Sequence, residues 1–182
     1  EMYQSLHRWE DALRVAERYR AAEFETLKKE YLRWLIDSAQ LEKAAEFRAR
    51  EGEAREAAEL FLRAGLPARA AQIFLRENFE SNDPLSAKIQ AALLKDESWD
   101  ALARIAERLG DPQKAVGLFA KAGNFARAAE LARARAPRLL ADLEDKWGES
   151  LCAENRHEAA VAHYVEAGQP AKAIEAAIAA RA

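Results

Sequence analysis

Three stretches decide the fold: Gly52-EAREAAELFLRAG-Leu66, Gly110-DPQKAVGLFAKAG-Asn124 and Asn155-RHEAAVAHYVEAG-Gln169. Each opens on Gly or Asn, and alanine follows five residues later. An aromatic comes four residues after that, a second alanine three further, and then glycine. The triplets are Ala57/Phe61/Ala64, Ala115/Phe119/Ala122 and Ala160/Tyr164/Ala167. Spacings of four and three place all members of a triplet on one face of an α-helix. Small residues let a partner helix approach, and the ring fills the space between two helix pairs. A start signal and a second alanine-rich helix follow each time: LPARAAQIF, NFARAAELA and QPAKAIEAA. Phe61, Phe119 and Tyr164 are therefore expected to be buried, and Gly65, Gly123 and Gly168 to take positive φ at helix C-termini.

The punctuation between these stretches says the same. Pro67, Pro84, Pro112, Pro137 and Pro170 stand where a helix begins, a place where the missing N–H costs nothing. Asp83, Ser98, Asp111 and Asn124 suit the N-cap role. Gly52, Gly65, Gly110, Gly123 and Gly168 stand where a helix ends. About twelve helices follow: Trp9–Arg20, Glu23–Ser38, Leu41–Glu51, Ala54–Ala64, Pro67–Asn78, Pro84–Lys95, Trp99–Leu109, Pro112–Ala122, Phe125–Ala134, Pro137–Asn155, His157–Ala167 and Pro170–Ala182. A stub at Met2–Leu6 reads as the end of an earlier helix. Their connections, Phe79–Asp83 apart, are short, which makes neighbours antiparallel. In the second helix Phe24, Leu27, Tyr31, Trp34 and Leu35 form an apolar face that Leu32 and Ile36 widen, so it is covered on more than one side.

The reading is all-α: a right-handed α-solenoid of degenerate, tetratricopeptide-like antiparallel helix pairs spanning residues 1–182, a piece of a longer chain. Trp99 and Leu102 fall where the tetratricopeptide motif carries its leading Trp and Leu, and Gly148 falls at its close-packing glycine. The three units lie 110 − 52 = 58 and 155 − 110 = 45 residues apart, against about 34 in that motif, so further helix pairs are interposed.

Composition agrees. Hydrophobic residues make up 50% and charged residues 32%, enough apolar material to rule out disorder. The net charge is −3, with Lys and Arg interspersed among acids, unlike the one-sided basic face of a nucleic-acid binder. No apolar run is long enough for a membrane span. The single cysteine, Cys152, excludes an internal disulfide and suits a reducing compartment.

Candidate chemical sites give way to packing. His157 and His163 are six residues apart, which is not one helical face, and His7 is remote, so no zinc set is assembled. Cys152 reads as a buried apolar thiol, because no base or oxyanion donor is placed beside it. Trp9, Trp34, Trp99 and Trp147 lie in line with apolar stripes and read as core. Arg127, Arg133, Arg135 and Arg138 are followed by Asp142, Glu144, Asp145 and Glu149, and the two groups are expected to neutralise each other across packed helices. No glycine-rich phosphate loop is present. No catalytic, cofactor-binding or metal-binding residue is assigned. The final helix carries Ile174, Ala177 and Ile178 on one stripe, and Met2, Tyr3 and Leu6 stand at the other end. Both are expected to be uncovered and to mediate self-association.

The segments MYQSLHRWEDAL (Met2–Leu13), LFLRAGLPARAAQIF (Leu60–Phe74), AAELARARAP (Ala128–Pro137), LEDKWGESL (Leu143–Leu151) and HYVEAGQPAKAIEAAIAAR (His163–Arg181) go beyond a generic repeat. Together they resemble the repeat region of the largest peripheral subunit of intraflagellar transport complex B, the 172-kilodalton subunit family. The likeness covers nearly the whole chain and is weakest over Glu77–Glu97. It implies a non-enzymatic scaffold segment downstream of β-propellers, used in assembly and movement of ciliary trains. It implies location in a cilium or flagellum and at the ciliary base, on the cytoplasmic side, with other intraflagellar transport subunits as partners. Neither nucleic acid nor direct membrane insertion is expected. The alternative is a helical-repeat segment of another propeller–solenoid trafficking protein, a vesicle coat subunit or a subunit of intraflagellar transport complex A.

Overall fold

In the computed structural model the described residues are 9–19, 22–77, 79–80 and 83–181. They form twelve α-helices and, among them, no strand. These are α1 (Trp9–Arg18), α2 (Phe24–Asp37), α3 (Leu41–Arg50), α4 (Ala54–Arg63), α5 (Pro67–Arg76), α6 (Pro84–Lys95), α7 (Trp99–Arg108), α8 (Pro112–Lys121), α9 (Phe125–Arg135), α10 (Leu140–Ala153), α11 (His157–Glu166) and α12 (Pro170–Ala179). The expected stub at Met2–Leu6 and the helix ends placed at Arg20, Asn78 and Ala182 lie outside the described residues. The chain divides into two compact units, residues 1–77 and 78–182. In each unit every helix packs on its neighbour in sequence, α1 to α5 in the first and α6 to α12 in the second.

One turn makes most of these pairs. Three residues separate α4 from α5, and the middle one, Gly65, has φ +73°. Its N–H donates to the Leu62 carbonyl at 3.1 Å, and the Leu66 N–H donates to the Phe61 carbonyl at 2.9 Å. These are the two bonds of a Schellman cap, which satisfies carbonyls the helix end leaves open. Leu66 is also the residue before α5, so a single turn stops one helix and starts the next. The same pair of bonds closes α8 at Gly123 and α11 at Gly168, where Asn124 and Gln169 donate to the Phe119 and Tyr164 carbonyls. It recurs at Gly52 and Gly110, and also at Ala39 (φ 58°), Glu97 (φ 53°) and Asn155 (φ 60°).

Helix starts follow the sequence except at α2, which begins at Phe24 and not Glu23, and at α10, and one expected cap fails. Asp83, Asp111 and Asn124 accept from the N–H groups of Leu85, Lys114 and Arg127. Ser98 precedes α7, but its hydroxyl donates to Asp96 at 2.7 Å instead of capping. Pro137 opens a 3-10 turn, Pro137–Leu139, and α10 begins only at Leu140. A tighter 3-10 turn is a common way into an α-helix.

The rings are buried as expected: Phe61 2% exposed, Phe119 1% and Tyr164 5%. Ala57, Ala115 and Ala160 are fully enclosed. The last alanine of each triplet is not. Ala64 and Ala167 are half-buried and Ala122 is exposed, because each sits at the helix C-cap, where the chain has begun to turn away. Phe119 lies in a cluster with Ala103 and Ala106 of α7 and Ala128, Leu131 and Ala132 of α9. Tyr164 lies with Leu151 of α10 and with Ala173 and Ala176 of α12. Phe119 and Tyr164 thus each belong to a core shared by three consecutive helices.

Gly148 on α10 is where Tyr164 passes. A Cβ there would stand 2.7 Å from Cε1 and 2.9 Å from Cδ1 of the buried ring. Gly148→Ala overpacks this contact at about 1–3 kcal/mol. Alanine's better helix propensity returns about 1 kcal/mol. The expected net loss is up to about 2 kcal/mol, read as a lower urea midpoint. A higher midpoint contradicts the close packing.

Candidate interaction surfaces

A cation recurs eight residues after each buried ring: Arg69 after Phe61, Arg127 after Phe119 and Lys172 after Tyr164. Each sits in the first turn of the next helix, and Arg69 and Lys172 lie over the Phe61 and Tyr164 rings. The Arg69 guanidinium is 4.4 Å from the Phe61 ring centroid and bonds Glu42 at 2.7 Å and Glu46 at 2.9 Å, both on α3. The Lys172 ammonium lies 5.6 Å from the Tyr164 centroid and bonds Asp145 at 2.7 Å and Glu149 at 2.8 Å, both on α10. These two carboxylates, Asp145 first, raise the Lys172 pKa well above its ordinary value. The acids occupy equivalent places, since Glu42 and Glu46 precede Ala57 by the same intervals as Asp145 and Glu149 precede Ala160. At the second ring the place of Glu46 is taken by Arg104, which pairs with Asp100 at 2.8 Å. Arg127 then turns to Glu130 and Glu107, and these carboxylates raise its pKa.

The arginine-rich and acidic stretches meet at one point. Arg133 donates to Glu144 at 2.9 Å, while Asp145 and Glu149 belong to Lys172 and Arg127 belongs to Glu107 and Glu130. The two groups do not neutralise each other as blocks, because Lys172 of α12 takes Asp145 and Glu149. Glu144 is 1% exposed and holds a second partner, His163 Nδ1, at 2.7 Å. The His163 ring stacks on Trp147 at 3.9 Å, and Trp147 stacks on Phe125 at 6.0 Å. This buried acid, bonded on both oxygens, was not legible as a site. It stands in line with α10's apolar stripe, and its partners lie 11 and 19 residues away.

The remaining candidates are placed plainly. Cys152 is half-buried, not enclosed, and its sulfur accepts from the Tyr164 hydroxyl at 3.7 Å. The four tryptophans are also half-buried. Trp9 stands beside Tyr31 and Trp34 at 5.9 and 6.0 Å, and the Lys121 ammonium lies 3.4 Å from the Trp99 ring centroid. Among the described residues no group of three His, Cys, Asp or Glu side chains could hold a metal ion. No described helix is long and apolar enough to cross a membrane.

Two exposed features stand apart from this packing. On α12, Ile174 is 62% exposed and Ile178 67%, with Ala177 exposed between them, as the sequence leads one to expect. Between α3 and α5, with Phe61 of α4 beneath, runs a cleft of about 450 Å³ lined by Glu46, Ala49, Arg50, Arg69, Gln72, Ile73 and Arg76.

A fold of consecutive helix pairs, each clamped by a ring between small residues and closed by one recurring turn, defines a helical-repeat protein. No family model matches the chain. The chain is similar to Intraflagellar transport protein 172 homolog of Homo sapiens, 41% identical over 181 residues. That alignment covers 99% of this chain and 10% of the relative. It is 36% identical over 181 residues to Intraflagellar transport protein osm-1 of Caenorhabditis elegans, and 35% over 178 residues to Intraflagellar transport protein 172 of Chlamydomonas reinhardtii. These alignments cover 99% and 97% of the chain, and again 10% of each relative. The chain therefore spans about a tenth of the length of the relatives it matches. The scattered segments thus belong to one alignment that runs along nearly the whole chain.

Burial of the Tyr164 phenol, together with its bond to Cys152, raises its pKa from 10.0 to about 12. In the unfolded chain the phenol ionises near 10, so between these values the unfolded state holds fewer protons and is favoured. The stability this group contributes is full below pH 10 and is lost as pH rises through about 12. Tyr164→Phe is expected to remove the phenolate absorbance step near pH 12. A step that persists, or a Tyr164 step at the ordinary value, contradicts the buried placement.

Proposed function

We propose that this chain is a scaffold segment of an intraflagellar transport subunit, acting in a cilium or flagellum by binding proteins and not by catalysis. The observation that carries the reading is whole-length similarity, at 34–41% identity, to a single segment of proteins named for intraflagellar transport. The fold supports it. Helix pairs stacked through buried rings leave the outward helix faces to partners, as repeat proteins do. In this reading the whole of residues 1–182 is helical repeat within a longer protein, other transport subunits are its partners, and it works on the cytoplasmic side, including at the ciliary base. Nucleic acid and direct membrane insertion have no part in it. Weak self-association through the Ile174–Ile178 stripe belongs to the same proposal. A strictly monomeric sedimentation profile across concentrations contradicts that element.

The test is capture on the immobilised chain from an extract of ciliated cells, followed by mass spectrometry. Enrichment of other intraflagellar transport subunits is expected. Enrichment of vesicle coat subunits with no transport subunits among them overturns the reading.

A further inference from the structure

The cleft between α3 and α5 carries charge that the fold does not require. Arg50, Gln72 and Arg76 stand at fixed distances from the buried Ala57: seven before, fifteen after and nineteen after. The same distances from Ala115 fall on Arg108, Glu130 and Ala134, and from Ala160 on Ala153, Glu175 and Ala179. So alanine serves the packing where Arg76 stands, in both other repeats, and where Arg50 stands in one of them. The neutral Gln72 replaces a glutamate twice. Arg69 and Glu46 belong to the recurring clamp and neutralise each other. Arg76 pairs at the rim with Glu77 at 3.0 Å. Arg50 has no carboxylate within ion-pair distance among the described residues.

The result is a concave groove whose lining carries three arginines against one glutamate, with Glu42 and Glu77 at its rim, on a chain whose net charge is −3. Its volume of about 450 Å³ lies within the range of binding clefts. Ala49 lies along it half-buried, with Phe61 and Ile73 beneath. We propose that this groove docks an acidic segment of a partner protein, with carboxylates held by Arg50 and Arg76 and a small apolar side chain set against Ala49. Guanidinium groups suit carboxylates because the planar fork makes two parallel N–H···O bonds. A protein segment fits better than a lipid surface, which is flat where the groove is concave. The inference deepens the scaffold reading and rests on it.

The experiment is fluorescence anisotropy with the whole chain and a labelled synthetic peptide of alternating glutamate and leucine. The comparison ligands are a lysine–leucine peptide, inorganic phosphate and phosphatidylserine vesicles. Arg50→Ala and Arg76→Ala use the residue that another repeat carries at the same place, and circular dichroism checks that each folds. Binding of the glutamate peptide is expected. It should weaken about ten-fold in each variant and with added salt, but not in Arg108→Ala. Absence of glutamate-peptide binding overturns the inference, as does binding indifferent to Arg50 and Arg76. Phosphate or vesicles binding through the same arginines more tightly than the peptide also overturns it. If the two variants still capture transport subunits from extract but bind no acidic peptide, the groove assignment fails while the scaffold reading stands.

Discussion

The bond from the Leu66, Asn124 and Gln169 amides to the Phe61, Phe119 and Tyr164 carbonyls is the constraint from which the rest of the structure follows. A helix end leaves its last carbonyls without intrahelical partners. Here the residue about to open the next helix supplies the donor. The chain must reverse within three residues, so the next helix is held against the last. The residue whose carbonyl accepts is also the one whose ring is buried. One position therefore fixes both the turn and the packing. Backbone satisfaction and side-chain burial cannot be separated there.

The cation eight residues after each ring ties each helix pair to the next. At the first and third rings it reaches back to two carboxylates on the helix before the ring. These pairs are partly exposed, so each adds little stability alone. Their geometry instead fixes where the incoming helix sits on the one before the ring. At the second ring Arg104 replaces the acid, and Arg127 finds other partners. The repeat thus keeps its apolar skeleton while its polar face varies. That division suits the scaffold role proposed above, because partners can be told apart on a face that the packing leaves unconstrained.

Most of the architecture was legible because the signals are local. Proline fixes φ and glycine relieves the left-handed turn, so Pro67, Pro170, Gly65 and Gly168 mark helix ends without tertiary information. Ala39 and Glu97 hold the same left-handed turn without glycine, which no composition rule reveals. They are held by the two cap bonds and by the helices on either side. Ser98 failed as a cap because Asp96 offered its hydroxyl a charged acceptor two residues away. The partners of Glu144 were hidden for a different reason. They come from α9 and α11, and only packing sets that juxtaposition. The α3–α5 groove was hidden likewise, since its residues lie on helices separated by α4.

The central claim is that a buried ring, shared by three consecutive helices, holds each repeat together. Urea unfolding of Phe119→Ala tests it most directly. The expected loss is about 3–5 kcal/mol, the range for removing a buried aromatic from a core that cannot collapse around the void. A loss under about 1 kcal/mol would show that α7, α8 and α9 hold together without the ring, and the account of the repeat would be wrong.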